Sequence, residues 1–286
     1  MHRFLTSLKN FNELVMFQHS IFSLPFIFIA MIVSADGWFG WYLLFMGALA
    51  AVTARNFAMG LNRYADRHID IKNPRTSGRP SVDGRISATA ILLFTLANAA
   101  GFIAVAYFIN DLAFYLSAPI LAVLGSYSYF KRFSALAHII LGISLGLAPI
   151  AGVVAVEAAI PLWSVYLSMG VLFWVAGFDL LYSLQDIEFD QEEGLHSIPS
   201  RFGAKNTFRI AQLFHLLTII FWSLFVMQAE LGIFANLAVV FSALMLGYEH
   251  YLVNKDFTKI DRAFFTINGY LGIIFIILII IEKVNL

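Results

Sequence analysis

The 286-residue chain is 60% apolar and only 13% charged, with a formal net charge of zero and no cysteine. Soluble domains run nearer ~45–50% apolar and ~25% charged, so a chain this poor in charge is solvated mainly by lipid. That excludes a cytosolic enzyme, a nucleic-acid binder and a disordered protein, and the absence of cysteine excludes disulfides, thiolate nucleophiles and cysteine-ligated metals.

A membrane helix needs ~20 mostly apolar residues to cross ~30 Å of hydrocarbon. Nine stretches qualify: 16–34, 39–61, 86–108, 111–129, 134–156, 162–184, 206–228, 231–252 and 263–282. Residues 1–15 are polar and basic and lack a cleavage site, so no removable signal is expected. The expected fold is all-α, a polytopic integral membrane protein of nine transmembrane helices. Too little chain remains for a soluble domain, so residues 1–286 are read as a single membrane domain.

Charge orients the spans. If each crosses once, every Lys and Arg except Arg55 and Lys283 falls on one side, and the connections near Asp36, Asn110, Glu157 and Glu230 carry none. This is the positive-inside pattern. It places the N-terminus on the cytoplasmic side of the cell (inner) membrane.

At the cytoplasmic end of the second span, Asn62, Asp66 and Asp70 are spaced i, i+4, i+8 and share a helix face. At the end of the sixth, Tyr182, Asp186 and Asp190 repeat that spacing. A parallel four-plus-four repeat with a ninth helix appended explains the match and brings both carboxylate pairs to one membrane face. Like charges at i, i+4 repel, so a cation is expected between them. Mg²⁺ suits hard carboxylate oxygens and is usually held by one or two of them plus substrate phosphates; two ions are expected. Arg75, Arg79, Lys131, Arg132 and Arg201 lie in loops on the same face, where Arg offers a bidentate fork to phosphate and Lys a point charge. A diphosphate at the mouth and an apolar interior together describe a polyprenyl diphosphate.

Two charges sit deeper. Arg55 precedes Asn62 by seven residues, and Asp179 precedes Asp186 by seven, so each shares the face of its acidic segment. Ionisable groups in a span usually face the bundle interior. Arg55 is expected to bind the acceptor's carboxylate, with Asp179 holding it in the empty protein; a purely structural Arg55–Asp179 pair is the alternative. Tyr182 is counted with them on the acceptor side. His138, His19 and His215 are read as satisfied interior or interfacial histidines, and Glu249 is expected to snorkel to the cytoplasmic surface.

Residues 62–80, NRYADRHIDIKNPRTSGRP, resemble the first aspartate-rich motif of the UbiA family of intramembrane prenyltransferases, with Asn62, Asp66, Asp70, Arg75, Thr76, Arg79 and Pro80 in place. Tyr182, Asp186 and Asp190, then His196, Ser197 and Gly203, resemble the second. Tyr127, Lys131 and Arg132 look like the segment between spans four and five. The resemblance covers nearly the whole chain and implies a nine-helix fold and Mg-dependent aromatic C-prenylation. Asn62, Asp66, Asp70, Asp186 and Asp190 would hold the metal. Asn62, Arg75, Arg79, Lys131 and Arg132 would bind the diphosphate. The Tyr-led second motif is most similar to the branch acting on 4-hydroxybenzoate in quinone biosynthesis. The run Asn73-Pro74-Arg75-Thr76-Ser77-Gly78-Arg79 also looks like a branch acting on 1,4-dihydroxy-6-naphthoate in the futalosine route to menaquinone. No protein partner is implied beyond these substrates and the membrane lipids. A small membrane transporter or lipid-binding protein is the rival from another class; its midplane charges and inverted repeat are not the pattern here.

Overall fold

The structure is a computed structural model that describes residues 2–16, 22–256, 260 and 263–284. Among them there is no strand: the fold is all-α. Helix α1 spans His2–Val15, α2 Leu24–Ser34, α3 Trp41–Ala65, α4 Arg67–Asp70, α5 Ala88–Ile109, α6 Asp111–Phe130 and α7 Ala137–Glu157. Then follow α8 Leu162–Tyr182, a 3₁₀ turn Ser183–Asp186, α9 Ile187–Glu192, α10 Ile198–Gln228, α11 Ile233–Lys255, a π-helical turn Ala263–Ile267 and α12 Asn268–Val284.

Eight helices are long and apolar enough to cross a membrane, and α2 is a shorter apolar helix. The chain is thus a multi-pass membrane protein. The expected first span, 16–34, is described as helix only from Leu24, where Pro25 starts α2 at a position that needs no N–H. Residues 17–21, with His19, lie outside the described residues, as do Lys259 and Arg262 of the last basic loop. Residues 2–15, expected only as a polar leader to the spans, form α1.

The two acidic segments are built alike. In each, a long helix ends, a short helix begins directly after an aspartate (Asp66 or Asp186), and a serine caps the next long helix. Ser87 accepts from Ala90 N, and Ser197 from Ser200 N in a capping box. Helix α10 begins before the expected seventh span and kinks at Gly203, whose φ of 74° favours glycine.

The packed core and the open space lie on different helices. Phe26, Trp174, Trp222, Phe225 and Phe275 interlock α2, α8, α10 and α12. Helices α7 and α8 approach so closely at Gly142 that a Cβ there would overlap the Leu172 carbonyl. Small residues at membrane helix contacts permit this. At the end away from the acidic segments, Lys283 pairs with Asp36 at 2.6 Å, and Glu282 of α12 accepts hydrogen bonds from Gly232, Phe234 and Ala235 N–H at the start of α11. The other side, bounded by α3, α5, α6 and α7, is where space remains.

Candidate active site

Helix α3 ends at Ala65, with Asp66 as its C-cap. Helical spacing nevertheless survives the break: Asp66 N–H donates to Asn62 O at 2.9 Å, and Asp70 N–H to Asp66 O at 2.8 Å. Asn62, Asp66 and Asp70 therefore keep one face, as the spacing predicts. In the second segment the 3₁₀ turn tightens the chain between Tyr182 and Asp186, and Asp190 sits on α9.

Both segments line one cavity, together with Arg55, Arg63, Asn73, Arg75, Arg79, Tyr127, Lys131, His138 and Asp179. Asp66 and Asp70 are buried; Asp186 and Asp190 are half-buried. Each of three carboxylates meets a cation. Lys131 Nζ lies 2.7 Å from Asp66 Oδ2, and Arg132 Nη2 lies 3.3 Å from its Oδ1. Arg79 Nη1 is 2.8 Å from Asp70 Oδ1. Arg75 forks onto Asp186 and donates to Tyr182 Oη at 2.7 Å. Partial burial disfavours the Arg75 charge, but Asp186 and Tyr182 outweigh it and hold its pKa above the usual value. Arg132 contacts Asp66 without lining the cavity.

The connection between the segments comes from the loop after α4. Arg75 belongs by sequence to the first motif but binds the second. Asn73 Nδ2 joins it, donating to Asp186 Oδ1 at 3.3 Å. His196 N–H donates to Lys131 O at 2.7 Å, tying the second motif to the basic turn after α6.

Among the described residues no three carboxylate or imidazole groups form a metal cage. Mg²⁺ needs none, since substrate phosphates complete its shell. The donor set fits that ion: four hard carboxylates and the Asn62 amide, with Asp70 Oδ2 buried and lacking any hydrogen-bond partner.

The deeper charges correct the sequence reading. Arg55 does not meet Asp179. Its Nη2 donates to the carbonyls of Val15 and Met16 at 3.2 and 3.0 Å, while its Nε is buried without a partner. The C-terminal carbonyls of α1 supply the negative end of a helix, so no carboxylate is required. Asp179 Oδ2 instead lies 2.7 Å from His138 Nδ1. His138, expected to be merely satisfied, lines the cavity with its Nε2 buried and unpartnered. Arg63 is buried in the cavity wall and donates to Asn62 Oδ1 at 3.1 Å. Glu249 does not snorkel. It is 1% exposed and accepts from Asn268 Nδ2 at 2.8 Å. His215, also expected to be satisfied, meets His250 at 2.9 Å through Nδ1 and leaves Nε2 unpartnered.

Beyond Arg55 and Tyr127 the cavity continues into an apolar channel between α3, α5, α6 and α7. Ala50, Ala51, Ala54 and Ala58 leave the room on α3; Phe102, Ile120, Leu124 and Leu145 form the facing walls. Arg55, Met59, Tyr127, Leu141 and Leu145 border both parts.

The profile described as UbiA prenyltransferase family matches residues 23–277. A 4-hydroxybenzoate octaprenyltransferase from Herminiimonas arsenicoxydans is 33% identical over 174 residues, 61% of each chain; the match thus spans under two thirds of that relative. The apo structure of a UbiA homolog from Aeropyrum pernix K1 superposes with a TM-score of 0.84 at 32% identity, covering 92% of this chain and 98% of that one. A UbiA homolog from Archaeoglobus fulgidus, bound to DMAPP and Mg²⁺, has the same fold, with a TM-score of 0.78 at 21% identity over 97% and 100% of the two chains.

Proposed function

The chain belongs to the UbiA prenyltransferase family, and from that premise we propose that it transfers a polyprenyl group from polyprenyl diphosphate to the carbon ortho to the hydroxyl of an aromatic hydroxy-acid, 4-hydroxybenzoate being favoured. One observation carries the reading. Carboxylates from two distant segments, each set beside Lys or Arg, line a single cavity that opens into an apolar channel. A diphosphate needs the first part and an isoprenoid chain the second. The names of the relatives agree with both substrates.

Asp66 and Asp70 would hold one Mg²⁺ and Asp186 and Asp190 a second, with Asn62 assisting. Bound there, the ions would neutralise diphosphate charge as Lewis acids and so aid departure of the leaving group. The chain's own cations do the rest. Lys131, Arg132, Arg79 and Arg75 pair with Asp66, Asp70 and Asp186. They are also the groups a diphosphate draws onto itself, where a preorganised positive field stabilises the charge that grows as the allylic C–O bond breaks. The apolar channel holds the isoprenoid chain and keeps water from the electron-poor allylic carbon.

Arg55 borders both parts of the cavity and has a free buried Nε. That position suits the carboxylate of the acceptor and sets its ring beside the allylic carbon. The acidic segments face the cytoplasm in this reading, since nearly all Lys and Arg gather at their end of the bundle. The test is direct. Purified protein in detergent is given Mg²⁺, a polyprenyl diphosphate and either 4-hydroxybenzoate or 1,4-dihydroxy-6-naphthoate, and products are identified by mass. Prenylated 4-hydroxybenzoate supports the reading. Product from the naphthoate alone moves the acceptor assignment, and no product from either sinks it.

A further inference from the structure

We propose that His138 is the general base of the transfer, taking the phenolic proton of the acceptor through Nε2, and that Asp179 positions it. This rests on the aromatic acceptor proposed above.

The geometry comes first. His138 of α7 and Asp179 of α8 both line the cavity. His138 Nδ1 and Asp179 Oδ2 are 2.7 Å apart. A carboxylate only accepts, so Nδ1 carries the hydrogen and donates it. That fixes the tautomer whose Nε2 has a lone pair and no hydrogen. Nε2 is also the atom left without a partner, although His138 is only 6% exposed. A buried acceptor with nothing to accept costs free energy, and a ligand hydroxyl removes that cost. A carboxylate orienting a histidine so that its far nitrogen can take a proton is the arrangement by which histidine bases are held elsewhere.

The placement suits the substrate. Arg55 lies on α3 and His138 on α7, two walls of one cavity. A 4-hydroxy-acid has its carboxylate and hydroxyl at opposite ends of the ring, so the two walls engage opposite ends. The other charged and titratable groups that share the cavity with His138 are Arg55, Arg63, Asp66, Asp70, Arg75, Arg79, Tyr127, Lys131, Asp179, Tyr182, Asp186, Asp190 and His196.

The step balances. The phenolic O–H proton passes to His138 Nε2, and the electron pair it leaves moves into the ring. The ortho carbon forms the new C–C bond as the allylic C–O bond breaks, its pair going to the diphosphate. The resulting dienone then loses its ring proton to the diphosphate, and the imidazolium returns its proton to the oxygen. The net products are the prenylated phenol and hydrogen diphosphate, with His138 neutral again.

The experiment compares the full-length wild type with His138→Ala, His138→Gln and Asp179→Asn in detergent, on 4-hydroxybenzoate and on 3-fluoro-4-hydroxybenzoate. The fluorinated acid has a more acidic phenol and one free ortho carbon. Loss of a general base typically costs ~10²–10⁴-fold. His138→Ala should therefore lower kcat by about 10²-fold or more, with KM for prenyl diphosphate changed less than about twofold, a shift too small to be a lost diphosphate contact. It should also lose the acidic limb of the kcat/KM–pH profile, and its deficit should shrink on the fluorinated acid. Asp179→Asn should lower kcat less and move that limb. Should the alanine variant fail to fold, His138→Gln carries the same readings. Undiminished kcat, an unchanged acidic limb, or an equal deficit on both acids overturns the assignment. A wild type that prenylates neither acid overturns the proposed function instead.

Discussion

At the residue scale, the two acidic segments line one cavity and are joined by Arg75, which belongs to the first and forks onto Asp186 of the second. Asp66→Ala, Asp70→Ala, Asp186→Ala and Asp190→Ala should each reduce turnover by ~10²–10³-fold, the usual loss when a major electrostatic contact at the reacting centre is removed. Steady-state rates with saturating substrates check this, and near-wild-type turnover in any two would refute a shared site. Arg55→Ala should raise the acceptor KM strongly and leave prenyl diphosphate KM nearly unchanged. Arg55→Lys should rescue poorly, since an ammonium lacks the guanidinium fork. The residues named in the two motifs were readable because i, i+4 spacing fixes a face. Their partners were not. Spacing gives a side chain's azimuth on its own helix, and Arg55 could be aimed inward without revealing that the carbonyls of Val15 and Met16 occupy it. His138 carried no motif at all; it stands six residues beyond the basic pair Lys131–Arg132, and its meaning came from Asp179 across the helix boundary.

At the element scale, two unexpected devices hold helix ends. The first is α1. Arg63 donates to Leu14 O at 3.3 Å and Arg55 to the next two carbonyls, while Arg85 forks onto Glu13 at 2.6 and 2.7 Å. The Arg85 hydrogen bond holds the Glu13 carboxyl below its usual range. A carboxylate with a depressed pKa stabilises the folded contact above its unfolded pKa, and that contribution is lost as pH falls through the folded value. Amide exchange over residues 9–16, corrected for its intrinsic pH dependence, should thus quicken in Arg85→Ala and on acidification below the normal carboxylate range. An exposed pair contributes little, so the effect should be modest and confined to α1. The second is Glu282, whose carboxylate satisfies three N–H groups at the start of α11. Glu282→Ala leaves three N–H donors without their partner, the one on Ala235 buried, at a cost of about 1–3 kcal/mol, and should lower the melting temperature in detergent while leaving the acceptor KM unchanged. Hydropathy located the long helices but not these ends, because an end is set by single residues such as Pro25, Ser87 or Ser197. Glu249 shows the same limit from the other direction: its partner, Asn268, is on the last helix, where no local pattern links the two.

At the scale of the whole molecule, the bundle divides its labour. Aromatic packing fills the side around α8, and alanines on α3 leave a channel on the other. Lipid solvation was legible from composition, the all-helical class from apolar stretches of ~20 residues, and the pairing of the two segments from their matched spacing. The route of the channel was not, because many Phe residues pack in the core and the channel walls are largely small and aliphatic. Topology is testable in this cysteine-free chain. Ser77→Cys and Glu192→Cys should be labelled from the cytoplasmic side only, and Asp36→Cys and Ala159→Cys from outside only; labelling of Ser77→Cys and Glu192→Cys from opposite faces would contradict the fold. The central claim is that both acidic segments hold one diphosphate. Its most direct test is binding of a non-ionising polyprenyl thiolodiphosphate, titrated with and without Mg²⁺, to the wild type, Asp66→Ala and Asp186→Ala. The account predicts Mg²⁺-dependent binding that each substitution alone weakens by at least ~10-fold, the scale of one charge-assisted contact. Binding that is indifferent to Mg²⁺, or that survives intact when either segment is altered, would contradict it.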